Sequence, residues 1–104
     1  MKIIDSHQHF WDPSRGDYLW MPKDDKILSR IYSETDLILD FKSTNVTNTV
    51  LVQAAATNNE TEYMLSIADK SKIVSGVVGW INFENPKQLS PVSYTHLTLP
   101  TILL

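Results

Sequence analysis

The chain has 104 residues, with 9 Lys and Arg, 12 Asp and Glu, three His, no Cys and a formal net charge of -3. The missing cysteines exclude a disulfide scaffold, a thiolate zinc centre and a cysteine nucleophile, and the scattered, mildly acidic charge excludes the basic stripe of a nucleic-acid binder. No apolar run approaches the roughly 20 residues of a membrane span, and Met1-Lys2-Ile3-Ile4-Asp5 lacks the apolar core of a signal peptide, so a soluble cytoplasmic protein is expected.

The first predicted element is a strand over about 2–9, Ile3-Ile4-Asp5-Ser6-His7-Gln8-His9. Side chains alternate faces along a strand, which groups Ile3, Asp5, His7 and His9 on one side and Ile4, Ser6, Gln8 and Phe10 on the other. Residues 11–26 show no period, and Pro13, Gly16 and Pro22 interrupt any regular element. Trp11, Tyr18 and Trp20 mark this stretch as an ordered loop that packs on something. Ser33-Glu34-Thr35-Asp36 opens a helix over about 34–44: Ser33 suits the N-cap, and the acids suit the positive end of the dipole. Leu37, Ile38 and Phe41 follow at helical spacing, and Asn45 is a plausible stop.

Thr49-Val50-Leu51-Val52-Gln53-Ala54 predicts a strand over about 48–54, apolar on both faces as a buried parallel strand should be. Thr57-Asn58-Asn59 offers an N-cap for a helix over about 59–70 that carries Met64, Leu65, Ile67 and Ala68. A third strand is expected over about 73–81, ending in Gly79-Trp80-Ile81. Strand, helix, strand, helix, strand is the order of a parallel sheet covered by helices. The glycosylation-like triplets Asn45-Val46-Thr47 and Asn59-Glu60-Thr61 are read as chance, since no secretion signal accompanies them.

The character changes after Pro91. Residues 92–104 carry no Asp, Glu, Lys or Arg. From Val92 to Thr101 the chain resembles the translation of a transposase sequencing adapter, residue for residue. Residues 92–104 are therefore expected to be a non-native tail that adopts no consistent element, with His96 excluded as a ligand.

The chemistry concentrates in His7-Gln8-His9. Two imidazoles two residues apart on a strand point the same way, and their nitrogens can converge on one metal ion or one polar substrate group. On spacing alone they are equally two unrelated packed or surface histidines. Their place at the carboxyl end of an N-terminal strand in a βαβ chain favours a site, because ligands bind at that end of such sheets.

Ile4-Asp5-Ser6-His7-Gln8-His9-Phe10-Trp11 resembles the opening of the amidohydrolase superfamily, and more narrowly its L-fuconolactonase and sugar-lactonase branch. Tyr18-Leu19-Trp20, Val50-Leu51-Val52-Gln53-Ala54 and Gly76-Val77-Val78-Gly79-Trp80 are similar to segments at comparable places in that branch. The resemblance covers residues 2 to about 88. It implies that residues 1–91 are a partial (β/α)₈ TIM-barrel domain, its first three strands and two helices, in the α/β class.

It further implies a hydrolase that opens a sugar lactone, of the L-fucono-lactone kind, to its acid in carbohydrate metabolism. His7 and His9 would be the catalytic pair, binding a divalent metal, zinc foremost, or polarising the carbonyl directly. Gln53, Trp80 and Trp20 would contact substrate. Trp11, Tyr18 and Trp20 as a group are better read as packing the loop, and Asp5 as a buried carboxylate, either structural or orienting an imidazole. The family also draws on a His from strand 5 and an Asp from strand 8. Neither lies within these 104 residues, so the piece by itself is expected to be inactive. The partner implied is a small sugar lactone, with no nucleic acid and no membrane, and the oligomeric state is open. A superfamily decarboxylase and a small non-catalytic α/β binding module are the alternative readings.

Overall fold

The computed structural model of the chain describes residues 2–82, residue 84 and the backbone of 101–103. Strand β1 spans Ile3–Gln8, helix α1 Glu34–Phe41, β2 Val46–Val52, α2 Asn58–Lys70, β3 Val74–Gly79 and β4 Thr101–Leu103. They form one sheet in the order β1-β2-β3-β4, and every neighbouring pair is parallel. The expected βαβαβ succession is therefore present, with consecutive strands adjacent and each of the first two connections carrying a helix.

Local chemistry accounts for the boundaries. At the start of α1 the Asp36 carboxylate turns back and accepts a hydrogen bond from the Ser33 backbone N–H at 2.9 Å, which satisfies a donor that the helix end leaves free. The helix closes at Phe41, short of the expected 44. Thr44 and Ser43 there donate their hydroxyls to the carbonyls of Phe41 and Asp40, an alternative to continuing the helical ladder. Thr57 caps α2, its hydroxyl accepting from the Glu60 N–H at 3.0 Å. β2 begins two residues earlier than expected and stops at Val52, so Gln53 lies just beyond the strand. Trp80 likewise sits one residue past β3.

The core lies between the sheet and the helices. Leu51 from β2, Val74 and Val77 from β3, Met64, Leu65 and Ala68 from α2, and Phe10 beyond β1 are buried together, with Leu37 of α1 packed against them. Met64, Leu65 and Ala68 follow the helical period, so one face of α2 meets the sheet. Full burial of a side chain such as Leu51 contributes roughly 1.5–3 kcal/mol. β1 is an edge strand, and Ile3 and Ile4 on it are 41% and 50% exposed.

One expectation needs correction. Residues 92–104 were expected to form no element, yet Thr101–Leu103 pair in parallel with Val77, Val78 and Gly79. The edge of β3 offers unpaired backbone groups, and the β-branched Thr101 and Ile102 suit an extended partner. The rest of that stretch, His96 included, lies outside the described residues.

Candidate active site

The sheet is parallel, so β1, β2 and β3 end on the same edge, and the chemistry-bearing residues follow those ends. His7 is exposed and His9 half-buried. Their Nε2 atoms are 3.3 Å apart, and the rings meet edge to face at a centroid distance of 5.0 Å. His9 Nδ1 lies 2.8 Å from the Val52 carbonyl oxygen at the end of β2. A carbonyl oxygen only accepts, so His9 Nδ1 carries a proton, and in the neutral ring it is Nε2, facing His7, that bears the lone pair. One backbone contact across two strands thus sets both the orientation and the tautomer of the imidazole.

Of the two parts expected of Asp5, the structure shows a structural one. It is half-buried, and its carboxylate accepts from the His7 backbone N–H at 3.1 Å instead of reaching an imidazole. The side chains of residues i and i+2 share a face, but Asp5 is short and turns toward the nearest main-chain donor, as Asp commonly does. On the opposite face Gln8 Oε1 accepts from the buried Thr49 hydroxyl at 3.3 Å, and Phe10 enters the core.

The aromatic loop is ordered, as expected. An antiparallel bridge between Trp11 and Tyr32 closes its two ends. Pro13–Arg15 form a 3₁₀ turn that Gly16 terminates at φ 78°, a left-handed conformation that glycine adopts without a Cβ clash. Tyr18 and Met21 bury with Ala55, and Trp11 packs against them while donating its indole N–H to the Leu28 carbonyl at 3.0 Å. Trp11 also stacks near His9, with ring centroids 6.3 Å apart and planes at 28°. His9, Trp11, Leu28 and Tyr32 line a hollow beside the histidine pair.

Trp20 differs from its neighbours. It is 52% exposed, touches Trp11 edge to face at 5.5 Å, and donates its indole N–H to the Ala54 carbonyl at 2.7 Å. Gln53 and Trp80 stand on the same rim, held by main-chain bonds: Gln53 N–H donates to the Val78 carbonyl, and the Trp80 N–H and carbonyl both bond the Thr61 hydroxyl. Among the described residues, no hydrogen bond or ring contact joins the side chain of Gln53 or Trp80 to the histidines.

A network that the sequence reading did not single out lies behind this rim. Glu60 is fully buried. Its Oε1 accepts from the Tyr18 hydroxyl at 2.8 Å and from Arg15 at 2.9 Å, and its Oε2 accepts from the Ala54 N–H at 2.8 Å. Arg15 also pairs with Asp17 at 2.8 Å and lies over the Tyr63 ring at 4.0 Å. Burial and the Glu60 carboxylate raise the Tyr18 pKa well above the usual tyrosine range. Thr57-x-x-Glu60 is a capping-box pattern, which would send the carboxylate to the Thr57 N–H. The pattern marks the residue as special without disclosing that its partner is Ala54.

Among the described residues, no group of three or more His, Cys, Asp or Glu could hold a metal ion. His7 and His9 fit two positions of such a ligand set, since two imidazole Nε2 atoms converge in an accessible place.

No family model matches the chain. It is 34% identical over 82 residues to an L-fucono-1,5-lactonase of Burkholderia ambifaria, a match covering 79% of this chain and 28% of the relative. An L-fucono-1,5-lactonase of Burkholderia multivorans is 33% identical over 84 residues, with 81% and 28% covered. A crystal structure of an amidohydrolase from Burkholderia multivorans, with bound zinc, superposes with a TM-score of 0.75 at 32% identity, over 86% of this chain and 32% of that one. The chain therefore spans less than a third of the length of these relatives. Over the matched span its similarity to these proteins supports an L-fuconolactonase-like relationship within the amidohydrolase superfamily.

Proposed function

We propose that the protein to which this segment belongs hydrolyses a sugar lactone of the L-fucono-lactone kind to the open acid, with His7 and His9 at the reacting carbonyl. The observation that carries the reading is the convergence of the two Nε2 atoms, 3.3 Å apart, at the carboxyl end of β1. The 34% identity to an L-fucono-1,5-lactonase supports the substrate class.

In the reaction a water oxygen bonds to the lactone carbonyl carbon. The ring C–O bond then breaks, and the ring oxygen leaves with a proton as a hydroxyl. His9, its Nδ1–H directed at the Val52 carbonyl, turns Nε2 toward His7, which sits beside it from the same strand. The two imidazoles would hold a divalent metal, zinc by analogy with the zinc-bound relative, whose chemistry when bound is to polarise the carbonyl where negative charge develops. The Val52 carbonyl keeps His9 from rotating away, so the pair is organised before substrate arrives. Trp20, Gln53 and Trp80 stand on the rim where a sugar ring would lie, and an aromatic face suits its C–H surface.

The test is steady-state kinetics of the full-length protein on a panel of aldono-lactones, with and without chelator. His7→Ala and His9→Ala are each expected to lower kcat/KM by about 10²–10³-fold, the usual cost of losing an electrophilic contact in the transition state. A folded His7→Ala/His9→Ala double variant that turns over at the parent rate would make both residues structural.

A further inference from the structure

Glu60 is the only carboxylate among the described residues that is fully excluded from solvent, and its bonds unite three parts of the chain. Arg15 and Tyr18 come from the aromatic loop, Ala54 from the connection after β2, and Glu60 itself from the first turn of α2. A buried ion pair is a poor source of stability, because removing two charges from water offsets most of their attraction. Packing alone would be served as well by apolar side chains of the same size. What the carboxylate supplies is direction, three donors from two segments fixed on a third at 2.8–2.9 Å.

Those donors lead to the rim. Ala54, which gives its N–H to Glu60, takes the Trp20 indole N–H on its carbonyl, and Trp20 is two residues from Tyr18. Gln53 directly precedes Ala54, and the Val52 carbonyl that holds His9 is one residue earlier. Trp20 is about half exposed, and its place depends on the Ala54 carbonyl and on edge contacts with the Tyr18 and Trp11 rings.

We propose that Glu60, with Arg15 and Tyr18, is a positioning residue that fixes Trp20 and the turn after β2 on the rim beside the histidine pair, and so sets substrate affinity. The role in affinity rests on the lactonase reading above, whereas the positioning itself does not.

Two measurements on the full-length protein and its Glu60→Gln variant test it. In amide hydrogen exchange, peptides covering 17–21 and 53–56 should exchange faster in the variant, while those covering 63–70 keep the parent rate. With an aldono-1,5-lactone, KM should rise about tenfold with kcat within about threefold, the pattern of lost uniform binding. The effects of Glu60→Gln and Trp20→Ala on KM should be less than additive in the double variant, because much of the Glu60 effect passes through the same indole.

A parent-like KM in a folded Glu60→Gln, additive effects in the double variant, or exchange that rises equally across α2 would overturn the proposal. If Glu60→Gln does not fold, Tyr18→Phe carries the same test: a raised KM supports positioning, and an unchanged one refutes it. If the parent opens none of the lactones, the functional reading fails separately and the exchange pattern alone decides on the positioning.

Discussion

The Thr61 hydroxyl ties α2 to the end of β3, and Thr61→Val measures what that tie is worth. Thr61 is fully buried, with its hydroxyl 2.5 Å from the Trp80 carbonyl oxygen and 2.9 Å from the Trp80 nitrogen. Valine keeps the shape and removes both bonds, leaving a backbone donor and acceptor without partners. Each unsatisfied buried group costs about 1–3 kcal/mol. Trp80 is only half-buried, so water can recover part of that, and about 2–3 kcal/mol in total is expected. In urea, with a slope of about 3 kcal/mol per molar, this lowers the midpoint by roughly 0.7–1 M at unchanged slope. Thr61→Ser, which keeps the hydroxyl, should retain most of the stability. The full-length protein is the sample, followed by circular dichroism. A Thr61→Val midpoint within about 0.2 M of the parent would show that the Trp80 backbone finds other partners and that the tie is not energetic.

Three further outcomes are expected. Because burial and Glu60 raise the Tyr18 pKa in the folded state, the unfolded chain loses that proton first as pH rises. Stability should therefore be complete below about pH 10, fall above it, and fall less steeply in Tyr18→Phe, as denaturant midpoints from pH 8 to 11 would report. Leu51 is fully buried in the main cluster, so Leu51→Ala should cost about 2–5 kcal/mol, and a shift below about 1 kcal/mol in urea would mean that the site collapses around the gap. Expressed as these 104 residues alone, the chain should melt without a sharp transition, because the edge of β1 is open and Ile3 and Ile4 stay in contact with water. A cooperative calorimetric peak from a monomer would refute that.

The parallel βαβαβ order was legible from the chain alone, since it depends on local signals. The short run Ile3–His9 leading into a loop, helical spacing in Met64, Leu65 and Ala68, the Ser33 and Thr57 caps and the two-faced apolar run 49–52 each act over a few residues. The histidine pair was legible for the same reason, because two side chains two residues apart on a strand share a face whatever packs around them. The tertiary structure decided what lies across long separations. The His9 tautomer depends on a carbonyl 43 residues away, and Trp20 bonds a carbonyl 34 residues away. The role of Asp5 stayed open between two readings because its face was evident but its nearest donor was not. Glu60 was overlooked because a glutamate in the first turn of a helix ordinarily serves the cap and faces water. Only the folding of the aromatic loop over α2, which brings Arg15 and Tyr18 within 3 Å, makes it a buried anchor. No local period encodes that approach, since it arises when the two ends of the loop are joined at Trp11 and Tyr32 and its middle is driven onto Ala55.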